Sequence, residues 1–304
     1  MTIARPQKSR GTALGIVSAG SGIATIILPP VLQIIMNKLG LQPAFWTQFG
    51  ICFVIGLLML LLLRNDPSEM GLEPVGGKDY VETKAKAKSG KRAGDHVDGA
   101  YLPSSYVWLL VVMMGVIGIA SSPAAAHIVL HWQTSGIDSM MTAAAFSVYG
   151  IVLTIGKFGY GALMDILGIA RASKLVCAFL AIGMLLCTAV GFGPGSHASI
   201  ILMYACIPFL GFGFPINTVG YPLWCAEFCS PDTYNKMLKR CQIFFQTGTL
   251  AGSSLPGMLA DATGSYTSSF ALNTVIWVAY LVALFIIFGK FARVKKQVLA
   301  ERAA

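Results

Sequence analysis

The chain of 304 residues is 55% hydrophobic and only 12% charged, and its mean hydropathy is +0.70. A water-soluble domain carries about 25% charged residues, so this composition excludes an ordinary soluble globule and predicts an integral membrane protein. The net charge of +9 does not indicate nucleic-acid binding, because the basic residues are concentrated in the segments between apolar runs.

Eight long apolar runs follow one another along the chain. A helix needs about 20 apolar residues to cross the hydrocarbon layer of a bilayer, so we expect an all-α membrane protein with about eight spanning helices. The first run is too long for the apolar core of a cleavable signal peptide. The approximate ranges of the runs are 12–36, 44–63, 106–127, 140–163, 175–192, 198–219, 241–260 and 269–289.

The lysines and arginines indicate how these helices are oriented. If both termini are cytoplasmic, all basic residues except Lys38 and Lys157 fall in cytoplasmic segments. Lys38 then lies in an outer loop and Lys157 lies within a span. Because cytoplasmic loops are enriched in Lys and Arg, we predict a multi-pass protein of the plasma (inner) membrane with both termini in the cytoplasm.

One long hydrophilic segment divides the chain. Residues 65–105 are rich in Gly, Lys and acidic residues, which is typical of a mobile linker, and we place this linker in the cytoplasm. It separates two spans in 1–64 from six spans in 106–290, and residues 291–304 form a cytoplasmic tail.

A short frame occurs twice, at the ends of two apolar runs. Residues 161–168 read Gly-x-Leu-x-Asp-x-x-Gly, and residues 257–264 repeat this frame. The two copies end the middle spans of two successive triplets, and the predicted topology places them on opposite sides of the membrane. This arrangement indicates two inverted three-helix repeats, which are typical of transporters.

The frame at 161–168, followed by Arg171, resembles the cytoplasmic loop motif of the major facilitator superfamily. Residues 10–15 and 64–74 are similar to the start of helix five, and to the exit from the next helix, in its monocarboxylate and oxalate/formate branch. The resemblance covers about the whole chain but only helices five to twelve of the family. It implies a truncated or split chain with a complete C-terminal six-helix half.

The resemblance also implies a function. It is secondary transport of a small organic anion, a monocarboxylate or dicarboxylate, by alternating access, as an antiporter or symporter. A second hypothesis is a non-transporting remnant or accessory membrane subunit that assembles with a partner supplying helices one to four. An enzyme is disfavoured, because there is no Walker-type loop, no Ser–His–Asp spacing and no intramembrane acid pair. No cofactor is predicted.

Lys157 is the one basic residue within a predicted span, about six residues from its cytoplasmic end. A lysine in hydrocarbon is costly unless it reaches the interface or faces water or a partner. It either extends to the cytoplasmic interface or faces a central cavity and binds an anionic substrate. The resemblance supports the second reading. Leu153 stands where a proton-coupled relative has an acid, so no acid–base pair is predicted here.

Two polar residues are further candidates for substrate binding. Asn217 lies in a span with a proline break, and its family position implies that it faces the cavity. Gln246 shares a face of the seventh span with Gln242, and that face either lines the pore or forms hydrogen bonds between helices.

Gly161, Asp165 and Gly168 are predicted to form a structural loop motif. The glycines permit a tight turn and close approach of helices. A carboxylate placed here caps a neighbouring helix N-terminus, where the free N–H groups favour anions. The resemblance implies that the capped helix begins at 10–11; the alternative is that Asp165 faces water. The second copy of the frame, with Asp261, is predicted to be a plain turn.

His127 and His131 are four residues apart near the outer end of the third span, beside Trp132. Two histidines at this spacing can bind zinc, but no third ligand is evident, and we predict an interfacial aromatic belt instead. No metal site is predicted.

Three of the seven cysteines flank the loop between the sixth and seventh spans: Cys225, Cys229 and Cys241. Their spacing fits no common metal motif. Because most cysteines lie in apolar runs and their number is odd, a disulfide framework is not predicted.

Overall fold

The computed structural model describes residues 10–62, 71, 104–228 and 231–303, and no strand occurs within these ranges. The linker predicted at 65–105 therefore lies almost wholly outside the described residues. The helices in chain order are α1 (Arg10–Leu39), α2 (Leu41–Leu62), α3 (Ser104–Thr134), α4 (Ser139–Leu167), α5 (Ile169–Val190), α6 (His197–Gly213), a 3₁₀ turn (Phe214–Asn217), α7 (Gly220–Phe228), α8 (Pro231–Gly252), α9 (Leu255–Thr263) and α10 (Thr267–Ala303).

Six segments of the described helices are long and apolar enough to cross a membrane, which confirms the predicted all-α membrane architecture. The first predicted run is part of α1, in which a shorter apolar segment covers Leu14–Leu28. The six segments are Leu41–Leu62, Trp108–Thr134, Ser139–Leu167, Ile169–Val190, His197–Asn217 and Thr267–Arg293.

Two of the predicted spans are broken helices. The run 241–260 was expected to be one helix but is divided between α8 and α9, and Pro256 lies in the first turn of α9. Proline is common in a first helical turn, because the N–H group that it lacks would have no partner within the helix there. The run 198–219 leaves α-helical geometry after Gly213, where a 3₁₀ turn containing Pro215 leads into α7.

Small residues of α1 bring it into backbone contact with α4. A Cβ atom at Gly15 would lie 2.6 Å from the carbonyl oxygen of Lys157, and one at Gly22 would overlap the side chain of Thr154. Ala19, between these two glycines, is buried. The two helices therefore approach more closely than larger side chains permit, as small-residue interfaces in membranes do.

A second close interface joins α3 to α8 at Gly248 and Gly252, whose four-residue spacing is typical of close helix packing in membranes. A Cβ atom at Gly248 would overlap the carbonyl oxygen of Gly115. At Gly252 it would lie 2.6 Å from the carbonyl oxygen of Ile119. The backbones of α3 and α8 are therefore in close contact along this stretch.

Both repeated Gly-x-Leu-x-Asp-x-x-Gly frames end a helix at a glycine with positive φ. Gly168 follows α4 with φ +81°, and Gly264 follows α9 with φ +73°. Both values lie in the left-handed region, which glycine enters without a steric penalty. Each glycine N–H bonds the carbonyl oxygen four residues earlier, so both frames form helix C-caps.

The two turns lie at opposite ends of the helix bundle. Asp165 of the first frame contacts Thr12 in the first turn of α1. Tyr266, just after the second frame, stacks on His127 near the end of α3, with ring centroids 5.8 Å apart. We call these the Asp165 end and the Asp261 end. Their opposite placement is what inverted repeats require.

A cluster of buried polar side chains joins several helices near the Asp165 end. The Trp224 indole N–H donates to the Ser173 hydroxyl at 2.7 Å, and the Tyr160 hydroxyl lies 3.1 Å from the same oxygen. The Trp224 ring also packs on Tyr280, with centroids 6.3 Å apart. These contacts join α4, α5, α7 and α10, and they satisfy polar groups that would be costly to bury alone.

Candidate functional site

The Lys157 side chain lies in the interface between α4 and α1. It is only 4% exposed, and its ammonium group donates a hydrogen bond to the Ser21 hydroxyl oxygen. The Ser21 hydroxyl in turn donates to the Ser18 carbonyl oxygen at 2.9 Å. A hydroxyl of α1 thus holds a cation of α4 inside the bundle.

The Lys157 side chain does not extend towards the Asp165 end, which is the nearer end of the bundle. Its backbone lies beside Gly15, whereas the ammonium group reaches Ser21, which is farther along α1 from the Asp165 end. In helices the Cα–Cβ bonds tilt towards the helix N-terminus, and α4 begins at the Asp261 end. In this structure the Lys157 side chain therefore points away from the Asp165 end.

The surroundings of Lys157 favour an anion as a further partner. An ammonium group has three N–H donors, and the Ser21 hydroxyl accepts one of them. Among the described residues no carboxylate forms an ion pair with Lys157. A nearby hydroxyl, that of Thr154, is directed back to the Gly150 carbonyl oxygen at 2.9 Å. The cation therefore has a neutral protein partner.

Asn217 ends the 3₁₀ turn and is 6% exposed. Its amide oxygen is buried without a hydrogen-bond donor among the described residues. An acceptor buried in this way costs about 1–3 kcal/mol of desolvation, so a ligand or water that donates to it is favoured. The turn lies against α4, where the rings of Phe214 and Tyr149 make an edge contact at 6.0 Å.

Gln246 stands apart from these two residues. Its side chain is exposed on α8, while Gln242, one turn earlier, accepts a 2.6 Å hydrogen bond from the Tyr221 hydroxyl. The two glutamines therefore differ in role, and Gln242 joins helices. No hydrogen bond in the described part of the chain connects Lys157, Asn217 or Gln246 to one another. The three predicted binding residues are on α4, the 3₁₀ turn and α8.

Asp165 caps the start of α1 from another helix. Its Oδ2 atom accepts hydrogen bonds from the Thr12 backbone N–H at 2.8 Å and from the Thr12 hydroxyl at 2.6 Å. The first N–H groups of a helix lack partners within the helix, so an anion is stabilised there. Gly161 is buried on the same helix. In the second frame, Asp261 is exposed.

The predicted interfacial belt at the end of α3 is wrong for two of its three residues. His131 and Trp132 are both 0% exposed. The His131 Nε2–H donates to the Cys187 carbonyl oxygen at 2.9 Å, and its ring stacks on Phe270 at 4.4 Å. His131 thus packs against α5 and α10, because this face of α3 meets protein. Within the described ranges, no cluster of three or more His, Cys, Asp or Glu side chains is arranged for a metal.

Sequence reasoning missed the hydroxyl partners of the two charged residues. Ser21 and Thr12 are on α1, which looked like an ordinary apolar run. Ser18, Ser21 and Thr25 are spaced by three and four residues and so share one helix face. That spacing was the available signal, and it marks the side of α1 that receives Lys157.

Comparison with known proteins relates the chain to a transporter family. The model of the Major Facilitator Superfamily matches residues 3–239, which is more than three quarters of the chain. Monocarboxylate transporter 12 of Rattus norvegicus is 24% identical over 301 residues, which covers 87% of this chain and 57% of the relative. The Homo sapiens protein of the same name is 23% identical, with 87% and 54% covered.

A third relative is Monocarboxylate transporter 10 of Homo sapiens, which is 22% identical over 279 residues. The match covers 88% of this chain and 51% of the relative. The chain thus spans little more than half the length of the curated relatives that it matches. At these identities the comparison identifies a family and leaves the substrate open.

Proposed function

Because this chain belongs to the Major Facilitator Superfamily, we propose that it takes part in secondary transport of a small organic anion, a monocarboxylate or dicarboxylate. The chain is a multi-pass integral membrane protein, and its relatives are transporters and not enzymes. We also propose that both termini are cytoplasmic, so that the Asp165 end faces the cytoplasm. The asymmetry of Lys and Arg supports this orientation.

The observation that carries the proposal is the buried ammonium group of Lys157 against the Ser21 hydroxyl. A charge inside a membrane bundle is rarely tolerated without a functional partner. A neutral hydroxyl does not neutralise it, whereas a carboxylate would. The names of the relatives, which describe monocarboxylate transporters, support the same substrate class.

Asn217 and Gln246 are proposed to complete the substrate site. The Asn217 amide oxygen needs a donor, which a hydroxyl group on a hydroxy acid supplies. Gln246 presents an exposed amide on α8. The 3₁₀ turn that carries Asn217 already lies against α4, whereas Gln246 contributes only if α8 approaches α4 in a conformation other than this one. Both residues lie in broken spans, and such breaks are where transporters place binding groups.

We propose that the Asp165–Thr12 contact is the latch of an alternating-access cycle. Both hydrogen bonds join α1 to α4 at the Asp165 end. Movement of one helix from the other at this end requires that they break. Their presence therefore marks a conformation that is closed at the proposed cytoplasmic end.

The repeated frame supplies a matched pair of variants for this latch. Asp165→Ala removes the carboxylate that caps α1, and we expect a loss of about 1–2 kcal/mol, typical of an N-cap. The midpoint of thermal unfolding, measured by fluorescence-detected size-exclusion chromatography, should fall. Asp261→Ala removes the equivalent exposed carboxylate and should leave the midpoint unchanged. Equal midpoints for both variants would show that Asp165 is not a latch.

Uptake into reconstituted vesicles tests the proposed function itself. Vesicles containing the purified chain should accumulate a radiolabelled monocarboxylate above protein-free vesicles, with saturation and competition by other carboxylates. Uptake that matches protein-free vesicles for every carboxylate tried would favour an accessory subunit instead.

A further inference from the structure

Two cysteines that the transport proposal does not use meet where α7 packs on α8. Cys225 and Cys241 are both 0% exposed, and their sulfur atoms are 3.7 Å apart. None of the six cysteines in the described part of the chain is in a disulfide. At this separation the sulfurs are in van der Waals contact. A modest movement of the side chains brings them to the disulfide bond length of about 2.05 Å.

A hydrogen bond beside the thiols holds the two helices in register. The Tyr221 hydroxyl donates to the Gln242 amide oxygen at 2.6 Å. Tyr221 lies one turn before Cys225, and Gln242 directly follows Cys241. Both Tyr221 and Gln242 are partly exposed. The buried thiols therefore lie beside two partly exposed side chains, close to a face from which a small oxidant enters.

We propose that Cys225 and Cys241 form a reversible dithiol–disulfide site that a hydroperoxide oxidises. The thiolate of one cysteine attacks the peroxide oxygen, which gives a sulfenic acid and releases water or an alcohol. The second thiol then attacks the sulfenic sulfur, the S–S bond forms, and a molecule of water leaves. The two sulfurs are oxidised and the peroxide is reduced, and a dithiol reductant reverses the bond.

The disulfide would join the two broken spans at one end of the bundle. α7 follows the 3₁₀ turn that carries Asn217, and α8 packs on α3 through Gly248. A covalent link between α7 and α8 restricts the movement of one broken span relative to the other. This site does not depend on which substrate the protein carries, or on whether it transports one.

The test is to map thiols in membranes that contain the whole chain. Membranes are treated with hydrogen peroxide and then denatured in the presence of N-ethylmaleimide, which blocks the remaining thiols. The protein is then digested for mass spectrometry. We expect a peptide pair linked through Cys225 and Cys241 that is two hydrogens lighter than the free peptides and that dithiothreitol separates. The link should persist in Cys52→Ser and Cys229→Ser and disappear in Cys241→Ser.

A variant that keeps both thiols shows whether the fold directs the reaction. Tyr221→Phe removes the hydrogen bond that aligns the helices and should lower the yield of the link several-fold. The proposal would be overturned if N-ethylmaleimide still modified both Cys225 and Cys241 after treatment with enough peroxide to oxidise the exposed Cys52. A link of either cysteine to Cys229, or an equal yield from protein unfolded before oxidation, would also overturn it.

Discussion

Lys157→Gln is expected to lower carboxylate uptake by about 30-fold. The substitution keeps a polar side chain of similar length but removes the charge that the Ser21 hydroxyl holds between α1 and α4. A hydrogen bond to a charged group contributes about 1.5–3 kcal/mol, and 2 kcal/mol corresponds to about 30-fold in affinity. The measurement is initial uptake of a radiolabelled monocarboxylate over a range of concentrations, normalised to protein in the vesicles.

Lys38→Gln is the matched control for this prediction. It removes the same charge from an exposed position in the last turn of α1, so uptake should stay within twofold of the original protein. Both variants should elute as single symmetric peaks in size-exclusion chromatography. Normal uptake by well-folded Lys157→Gln protein would contradict the assignment of Lys157 as the substrate-binding cation.

Gly248→Val is expected to prevent assembly of the bundle. A Cβ atom at Gly248 would overlap the carbonyl oxygen of Gly115, which is backbone and cannot rotate away. α8 would have to move off α3, and the cost should exceed the roughly 1–3 kcal/mol of ordinary overpacking. We expect little or no monodisperse protein after extraction in a mild detergent, measured by fluorescence-detected size-exclusion chromatography.

Gly257→Val separates packing from the general effect of valine in a helix. Gly257 lies on α9, and a Cβ atom there would have no neighbour within 4 Å. This variant should therefore yield as much monodisperse protein as the original chain. A normal elution profile for Gly248→Val would mean that α3 and α8 are not in backbone contact at this position.

Lys157 and Asp165 were predictable from the sequence because each is conspicuous in its setting. One is a charge inside an apolar run, and the other belongs to a frame that occurs twice. Their partners Ser21 and Thr12 were not, since they lie 136 and 153 residues away along the chain. Periodicity shows that a helix forms, but the choice of its neighbour depends on small residues such as Gly15 that permit close approach.

The prediction for His131 failed for a related reason. A span that is apolar on all sides carries no polar stripe to show which face meets lipid and which meets protein. Aromatic and histidine side chains near a span end are then equally compatible with an interfacial belt and with a packed interface. In the structure His131 packs on Phe270 at 4.4 Å, so the second arrangement is present.

Hydropathy alone also did not predict the breaks in these spans. The run 241–260 mixes apolar residues with Gln, Ser and Thr, and the sequence pattern alone predicts one helix across α8 and α9. The break instead depends on local chemistry, namely Pro256 in a first helical turn. Likewise, Gln242 and Gln246 looked equivalent on one helix face, yet Gln242 accepts a hydrogen bond from the Tyr221 hydroxyl whereas the Gln246 side chain is exposed.

Equilibrium binding of matched ligands to the purified chain is the most direct test of the anion site. Binding of a carboxylic acid and of its neutral amide, which have nearly the same shape, is compared by scintillation proximity in the original protein and in Lys157→Gln. We predict that the original protein binds the carboxylate at least tenfold more tightly than the amide, and that Lys157→Gln loses this preference. Equal affinity of the original protein for both ligands, or an unchanged preference in Lys157→Gln, would contradict an anion site at Lys157.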